Sequence, residues 1–192
     1  MIIGLTGGIG SGKTTVAKMF SSFSNVEVYI ADKEAKKLMN TSIIIKEQLI
    51  SEFGSESFID NKLNRNHISN IVFNNKNKLH TLNSIVHPVV RKHFQDFVIK
   101  HQNKSYIVYE AAILFESKAD VFCDKVISVF SEKNKRIERV MKRDSISELE
   151  VKSRMNNQWK ENKKILLSNY VIYNLEMQKT ALQVHEIHNI LT

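Results

Sequence analysis

Ile2-Ile3-Gly4-Leu5-Thr6-Gly7-Gly8-Ile9-Gly10-Ser11-Gly12-Lys13-Thr14-Thr15 is the most informative stretch of this chain. Ile2–Thr6 is a short apolar run with β-branched residues, and it reads as a strand. Gly7 to Gly12 is a flexible loop. Val16, Met19, Phe20 and Phe23 then recur at i, i+3, i+4 and i+7, one face of a helix. Across the loop, Gly7 to Thr14 fits the spacing G-x-x-x-x-G-K-[ST]. Those residue types suit a polyphosphate. Glycines let backbone N–H groups approach a crowded anion, and the following helix turns its free N–H groups and positive dipole end towards it. In this reading Gly8, Ile9, Gly10, Ser11, Gly12, Lys13, Thr14 and Thr15 bind the nucleotide. Lys13 bridges the β- and γ-phosphates, and the Thr14 hydroxyl holds Mg²⁺.

Four further apolar runs follow: Val26–Ile30, Tyr106–Tyr109, Lys125–Phe130 and Tyr170–Tyr173. Helical periodicity fills the intervals. Asp32 caps a helix through Met39, and a second helix spans Ile43–Phe53. Residues 54–66 are polar and read as loop. Ile68, Ile71 and Val72 open a helical stretch that runs on from Leu82 to about His101, with a break or kink predicted at Pro88, the one proline. Glu132–Arg143, Ser147–Asn157 and Lys160–Leu166 read as helices, and Met177, Ala181, Val184 and Leu191 mark a closing one. Strands alternating with helices predict an α/β fold of P-loop NTPase type. It has a five-stranded parallel sheet flanked by helices, with ligands at the carboxyl ends of the strands. The core is 1–31, 103–132 and 167–192; a helical acceptor-binding region is 32–102, and a helical lid is 133–166.

Charge supports the lid. The 192 residues carry 28 Lys+Arg against 20 Asp+Glu, a net charge of +8. Lys133–Lys164 holds eleven of the cations and five acids, so 11 − 5 = +6 of the excess is local. A solvated helical face is the plain alternative. The 42% apolar content excludes a disordered chain, and a single cysteine, Cys123, excludes an internal disulfide. No apolar run approaches the ~20 residues of a membrane span, and no leader is evident, so a cytoplasmic protein is expected.

The GTPase base-reading motif Asn-Lys-x-Asp is missing; the nearest string, Asn75-Lys76-Asn77-Lys78, lacks the Asp. A short P-loop chain with a basic segment before its last strand suggests a small-molecule kinase. Two alternatives stay open: a kinase of nucleosides or other small alcohols, and a non-catalytic nucleotide- or nucleic-acid-binding module.

Here the sequence resembles the dephospho-coenzyme A kinases, in order and over nearly its whole length. The opening stretch, Ala31-Asp32, Leu82-Asn83-Ser84-Ile85-Val86-His87-Pro88, Ile113-Leu114-Phe115-Glu116, Arg139 to Asp144, Arg154-Met155 with Gln158, and Val171-Ile172-Tyr173-Asn174 are similar to that family's motifs. Ile30 stands where the family has a first Asp, Glu110 where many members have Asp, Ala112 where most have Pro, and Ser168-Asn169 for a frequent Ala-Asp.

The resemblance implies ATP-dependent phosphorylation of a ribose 3′-hydroxyl, with ATP and Mg²⁺ as cofactors. The partners are then small molecules, not nucleic acid or membrane, and a monomer is favoured. It implies that Asp32 orients or deprotonates the hydroxyl; a helix cap is its other reading. Arg139 and Arg143 share a helix face and suit phosphate, though surface ion pairing explains them too. Arg143 and Asn174 are expected near the nucleotide, and Arg154 near substrate. Glu110 suits a metal held through water, or a nearby lysine. Glu110 also counts among the candidate acceptor residues, which His87, Leu114 and Glu116 complete, with structural roles as their alternatives.

Overall fold

Strand β1 (Ile2–Thr6) carries Ile3 and Leu5 with no exposed surface, as a central strand requires. It lies in the middle of a five-stranded sheet in the order β2 (Val26–Ile30), β5 (Tyr106–Glu110), β1, β6 (Lys125–Phe130), β7 (Tyr170–Tyr173). All pairings are parallel; Ile3 faces Val108 on one side, and Leu5 faces Ile127 on the other. The computed structural model describes residues 1–73 and 75–192. These form two compact units, Met1–Ile30 with His101–Thr192, and Ala31–Lys100.

In the first unit, Ile3, Leu5, Val108 and Ile127 pack with Val16 and Phe20 of α1 (Lys13–Phe20) and with Val184 and Ile187 of α9 (Met177–Leu191). Gly4 serves the opposite face. A Cβ there would stand 2.8 Å from Leu114 Cδ2 and 3.0 Å from Cys123 Sγ. Leu114, a candidate acceptor residue, is therefore core: it is fully buried beneath β1. Burial, with Asp120 and Asp124 nearby, pushes the Cys123 thiol up to about 12, which suits an inert packing residue.

Beyond β6 come α6 (Lys133–Asp144), α7 (Glu148–Asn156) and α8 (Glu161–Leu166). Ser147 and Glu150 cap α7 reciprocally. Ile137, Val140 and Val151 form a small core between α6 and α7, and Ile9 of the glycine loop packs against it.

The second unit contains α2 (Ala31–Thr41), α3 (Ile43–Phe53), α4 (Arg65–Phe73) and α5 (Lys76–Lys100). Three expectations are corrected here. First, α5 runs unbroken through Pro88, because its buried face of Ile85, Val86, Val90 and Phe94 offsets the one lost backbone bond. Second, residues 54–66 are not plain loop. They hold a 3-10 turn (Ser55–Ser57) and a hairpin of β3 (Phe58–Ile59) and β4 (Lys62–Leu63). Asp60 and Asn61 both take positive φ, 49° and 62°, which is the two-residue hairpin turn such residues favour. Third, α2 begins at Ala31, so Asp32 lies inside its first turn and is not a cap. Its negative charge there favours the helix dipole. No helix among the described residues is long and apolar enough to cross a membrane.

Candidate active site

The glycine loop leaves the carboxyl end of β1 and runs into α1, as the spacing predicts. Gly10 and Gly12 take φ of 80° and 93°, conformations open chiefly to glycine. A Cβ on Gly12 would collide with the Asn174 amide. Lys13 is buried, 7% exposed, and its ammonium reaches back to the Gly8 carbonyl at 3.3 Å. The Ser11 hydroxyl and the Thr6 hydroxyl are buried with no hydrogen-bond partner. An unspent hydroxyl beside the glycine loop is a donor that a bound phosphate could use.

Thr14 donates its hydroxyl to Glu110 at 3.4 Å. Glu110 ends β5 opposite Leu5 and is 3% exposed. A hydroxyl and a carboxylate meeting at the mouth of the loop are hard oxygen donors, and they fit Mg²⁺. Among the described residues, no group of three or more His, Cys, Asp or Glu is gathered that could hold a metal ion.

The arginines of α6 and α7 divide. Arg139 donates to the Gly10 carbonyl at 3.3 Å and to the Ser131 hydroxyl at 3.1 Å, so it touches the loop directly. Arg143 forms two hydrogen bonds to Asp144, at 2.7 and 3.0 Å, and Arg154 reaches the same carboxylate at 2.8 Å. Hydrogen bonding from Arg143, aided by Arg154, holds the Asp144 carboxyl below its ordinary range. Arg139 and Arg143 thus engage different groups despite their shared face.

Asn174 follows β7 and is 6% exposed. Its amide donates to the Ser11 carbonyl at 2.8 Å and accepts from Thr180 at 3.1 Å, so it braces the loop. Glu116 accepts the Trp159 backbone N–H at 2.8 Å and pairs with Lys164 at 2.8 Å. Trp159 stacks on Phe115 and lies under the Lys163 ammonium. In the second unit, Asp32 is exposed on α2, and His87 is half-buried on α5. Burial lowers the His87 pKa, while the Asp32 charge acts to raise it. The two groups therefore share one electrostatic environment.

Three residues that hold the loop are absent from the sequence-based candidate site residues. Arg136 donates to the Ile9 carbonyl at 2.9 Å and pairs with Glu161 at 2.7 Å; Glu161 accepts the Gly8 N–H at 3.0 Å. Gln158 accepts the Ile9 N–H at 2.8 Å. A signal existed. Arg136, Arg139, Val140 and Arg143 stand at i, i+3, i+4 and i+7, and Glu161 is the sole acid between Val151 and Leu175.

Comparison with known proteins gives one answer. The dephospho-CoA kinase family model matches residues 1–179. A dephospho-CoA kinase of Fusobacterium nucleatum is 39% identical over 163 residues, covering 82% of this chain and 83% of that protein. One of Prochlorococcus marinus is 31% identical over 177 residues, covering 90% and 84%. A solved dephospho-CoA kinase from Campylobacter jejuni superposes with a TM-score of 0.64 at 22% identity, over 100% of this chain and 97% of that one. A shikimate kinase from Acinetobacter baumannii reaches 0.56 at 13% identity, over 99% and 92%, a likeness of fold. The fold is that of the α/β P-loop kinases, and the chain belongs to the dephospho-CoA kinase family.

Proposed function

We propose that this chain transfers the γ-phosphoryl group of ATP to the ribose 3′-hydroxyl of dephospho-CoA, giving coenzyme A and ADP. The observation that carries the reading is the buried Lys13 beside the Thr14–Glu110 pair at the mouth of the glycine loop, in a chain of this family. Lys13 neutralises charge on the β- and γ-phosphates. Thr14 and Glu110 would hold Mg²⁺, which when bound neutralises phosphate charge. The Ser11 hydroxyl and the loop amides serve the phosphates.

Asp32 is the proposed base. As the acceptor oxygen bonds to phosphorus and the bond to ADP breaks, the hydroxyl proton passes to the Asp32 carboxylate. His87 positions the acceptor from the same unit. Arg139 and Arg143 are the phosphate cations of the lid, Arg154 supports substrate, and Glu116 fixes the lid through Lys164 and Trp159. The local +6 charge suits two small polyanionic substrates and needs no polynucleotide. The same reading assigns a cytoplasmic monomer.

The test is coupled ADP release with Mg²⁺-ATP and, in parallel, dephospho-CoA, a nucleoside monophosphate and shikimate. The expected result is turnover with dephospho-CoA alone. Turnover with another acceptor and none with dephospho-CoA overturns the substrate. An Asp32→Asn variant should bind ATP and lose most turnover; full activity would remove the base.

A further inference from the structure

Ile9 is the residue of the glycine loop most completely held by the segment that follows β6. Its side chain packs on the core of Ile137, Val140 and Val151. Gln158 takes its N–H at 2.8 Å, and Arg136 donates to its carbonyl at 2.9 Å. One residue earlier, Glu161 takes the Gly8 N–H at 3.0 Å, and Arg136 and Glu161 close on each other at 2.7 Å. Gly8 itself must be glycine for this pair to fit, since a Cβ there would collide with the Arg136 guanidinium and lie 2.7 Å from Glu161 Oε1.

The peptide plane turns these contacts into function. In a trans peptide the C=O and the next N–H lie in one plane and point in opposite directions. Anchoring the Ile9 carbonyl on Arg136 therefore turns the Gly10 N–H the other way. Asn174 does the same for the Gly12 N–H through the Ser11 carbonyl. The Ile9 and Ser11 carbonyls are thus held by side chains from later segments, and the Gly10 and Gly12 N–H groups point away from those side chains, while the Gly8 carbonyl takes the Ser11 N–H and the Lys13 ammonium.

The pair is also costly to build. The Arg136 side chain is 7% exposed and that of Glu161 15%. A buried ion pair often stabilises no more than apolar residues of the same size. Both members spend further hydrogen bonds on loop backbone and none on each other's helix alone, which is the pattern of a device that fixes orientation.

We infer that Arg136 and Glu161 are positioning residues for phosphoryl transfer: joined to each other, they hold the Gly8–Gly10 backbone through their hydrogen bonds to the Ile9 carbonyl and the Gly8 N–H, so that the Gly10 N–H addresses the transferring phosphate. The inference rests on the phosphoryl-transfer reading above. Neither residue touches substrate; both act through the loop.

The test compares Arg136→Ala, Arg136→Lys, Glu161→Ala and Glu161→Gln with wild type, below the melting temperature of each. The readouts are ATP affinity by calorimetry, and kcat and both KM values with dephospho-CoA. Arg136→Ala and Glu161→Ala should lower kcat by about 10–100-fold, weaken ATP about tenfold, and leave the dephospho-CoA KM within about threefold. Glu161→Gln keeps an oxygen for the Gly8 N–H and should recover most of kcat. Arg136→Lys keeps charge but loses the fork, and should fall between. Lys152→Ala, on the exposed face of α7, is the control and should match wild type. Should either alanine variant fail to fold, the Gln and Lys variants carry the test through the same ratios. Lowered melting temperature with unchanged kcat and ATP affinity overturns the inference. Loss of kcat in Glu161→Gln equal to that of Glu161→Ala also overturns it. If wild type binds ATP yet leaves dephospho-CoA unmodified, the substrate reading fails by itself; the alanine variants' ATP affinity still decides the positioning claim.

Discussion

The basic segment 133–164 contains two kinds of ion pair, and they behave differently. At its far end, α8 carries Glu161 and Lys164, three residues apart, each in a buried pair: Glu161 with Arg136, and Lys164 with Glu116. Lys164 is 1% exposed and also donates to the Ala112 carbonyl at 2.6 Å. At its tip, Arg143 and Arg154 share Asp144 with side chains 62% and 44% exposed. The buried pairs cannot change partner without stranding a charge. The exposed ones can exchange a carboxylate for a phosphate at little cost, because such pairs contribute only about 0–1 kcal/mol. One stretch of charge thus supplies both fixed anchors and exchangeable cations.

The largest expected effect breaks an anchor. Lys164→Ala leaves Glu116 buried without its cation and should cost about 3–5 kcal/mol, read by urea denaturation. A loss below about 1 kcal/mol would erase the distinction drawn here. Next, Arg143→Ala should lower kcat by about 10–100-fold. Its stability should shift by less than about 1 kcal/mol. Equal stability losses at Lys164 and Arg143 would contradict the comparison.

A smaller effect concerns pH. Burial lowers the pKa of both His87 and His188, the latter held against the Tyr106 hydroxyl at 2.7 Å and stacked on Phe23. The unfolded chain then binds these protons more readily than the folded one. Stability is full above their unfolded pKa, near 6.5, and declines as pH falls below it. His188→Gln should flatten that decline in a melting series from pH 7.5 to 5.5; an unchanged slope would reject the assignment. Smallest of all, Lys152→Ala removes an exposed pair with Glu148 and should move stability by no more than about 0.5 kcal/mol.

The strands, the glycine loop and the basic segment were legible because each has a local signature: β-branched runs, a spaced motif, a charge excess. The hairpin at Asp60-Asn61 was readable in principle, but its two-residue strands are too short to show alternation. Pro88 misled because local backbone chemistry argues for a break, whereas the packed face of α5 decides otherwise. At the site, residue type was readable and choice of partner was not. Arg139, Arg143 and Asn174 each had several anions or carbonyls within their chemistry. Only the fold shows that Asn174 takes the Ser11 carbonyl and Arg143 takes Asp144. Arg136 was hidden for the same reason, as one cation among eleven.

The most direct test is the position of the transferred phosphate. Purified protein, Mg²⁺-ATP and dephospho-CoA are followed by phosphorus NMR. The predicted result is a new phosphomonoester resonance coupled to the ribose H3′, appearing in equal amount with ADP. ADP formed without that resonance, or a phosphate on any other oxygen, would contradict the function proposed here.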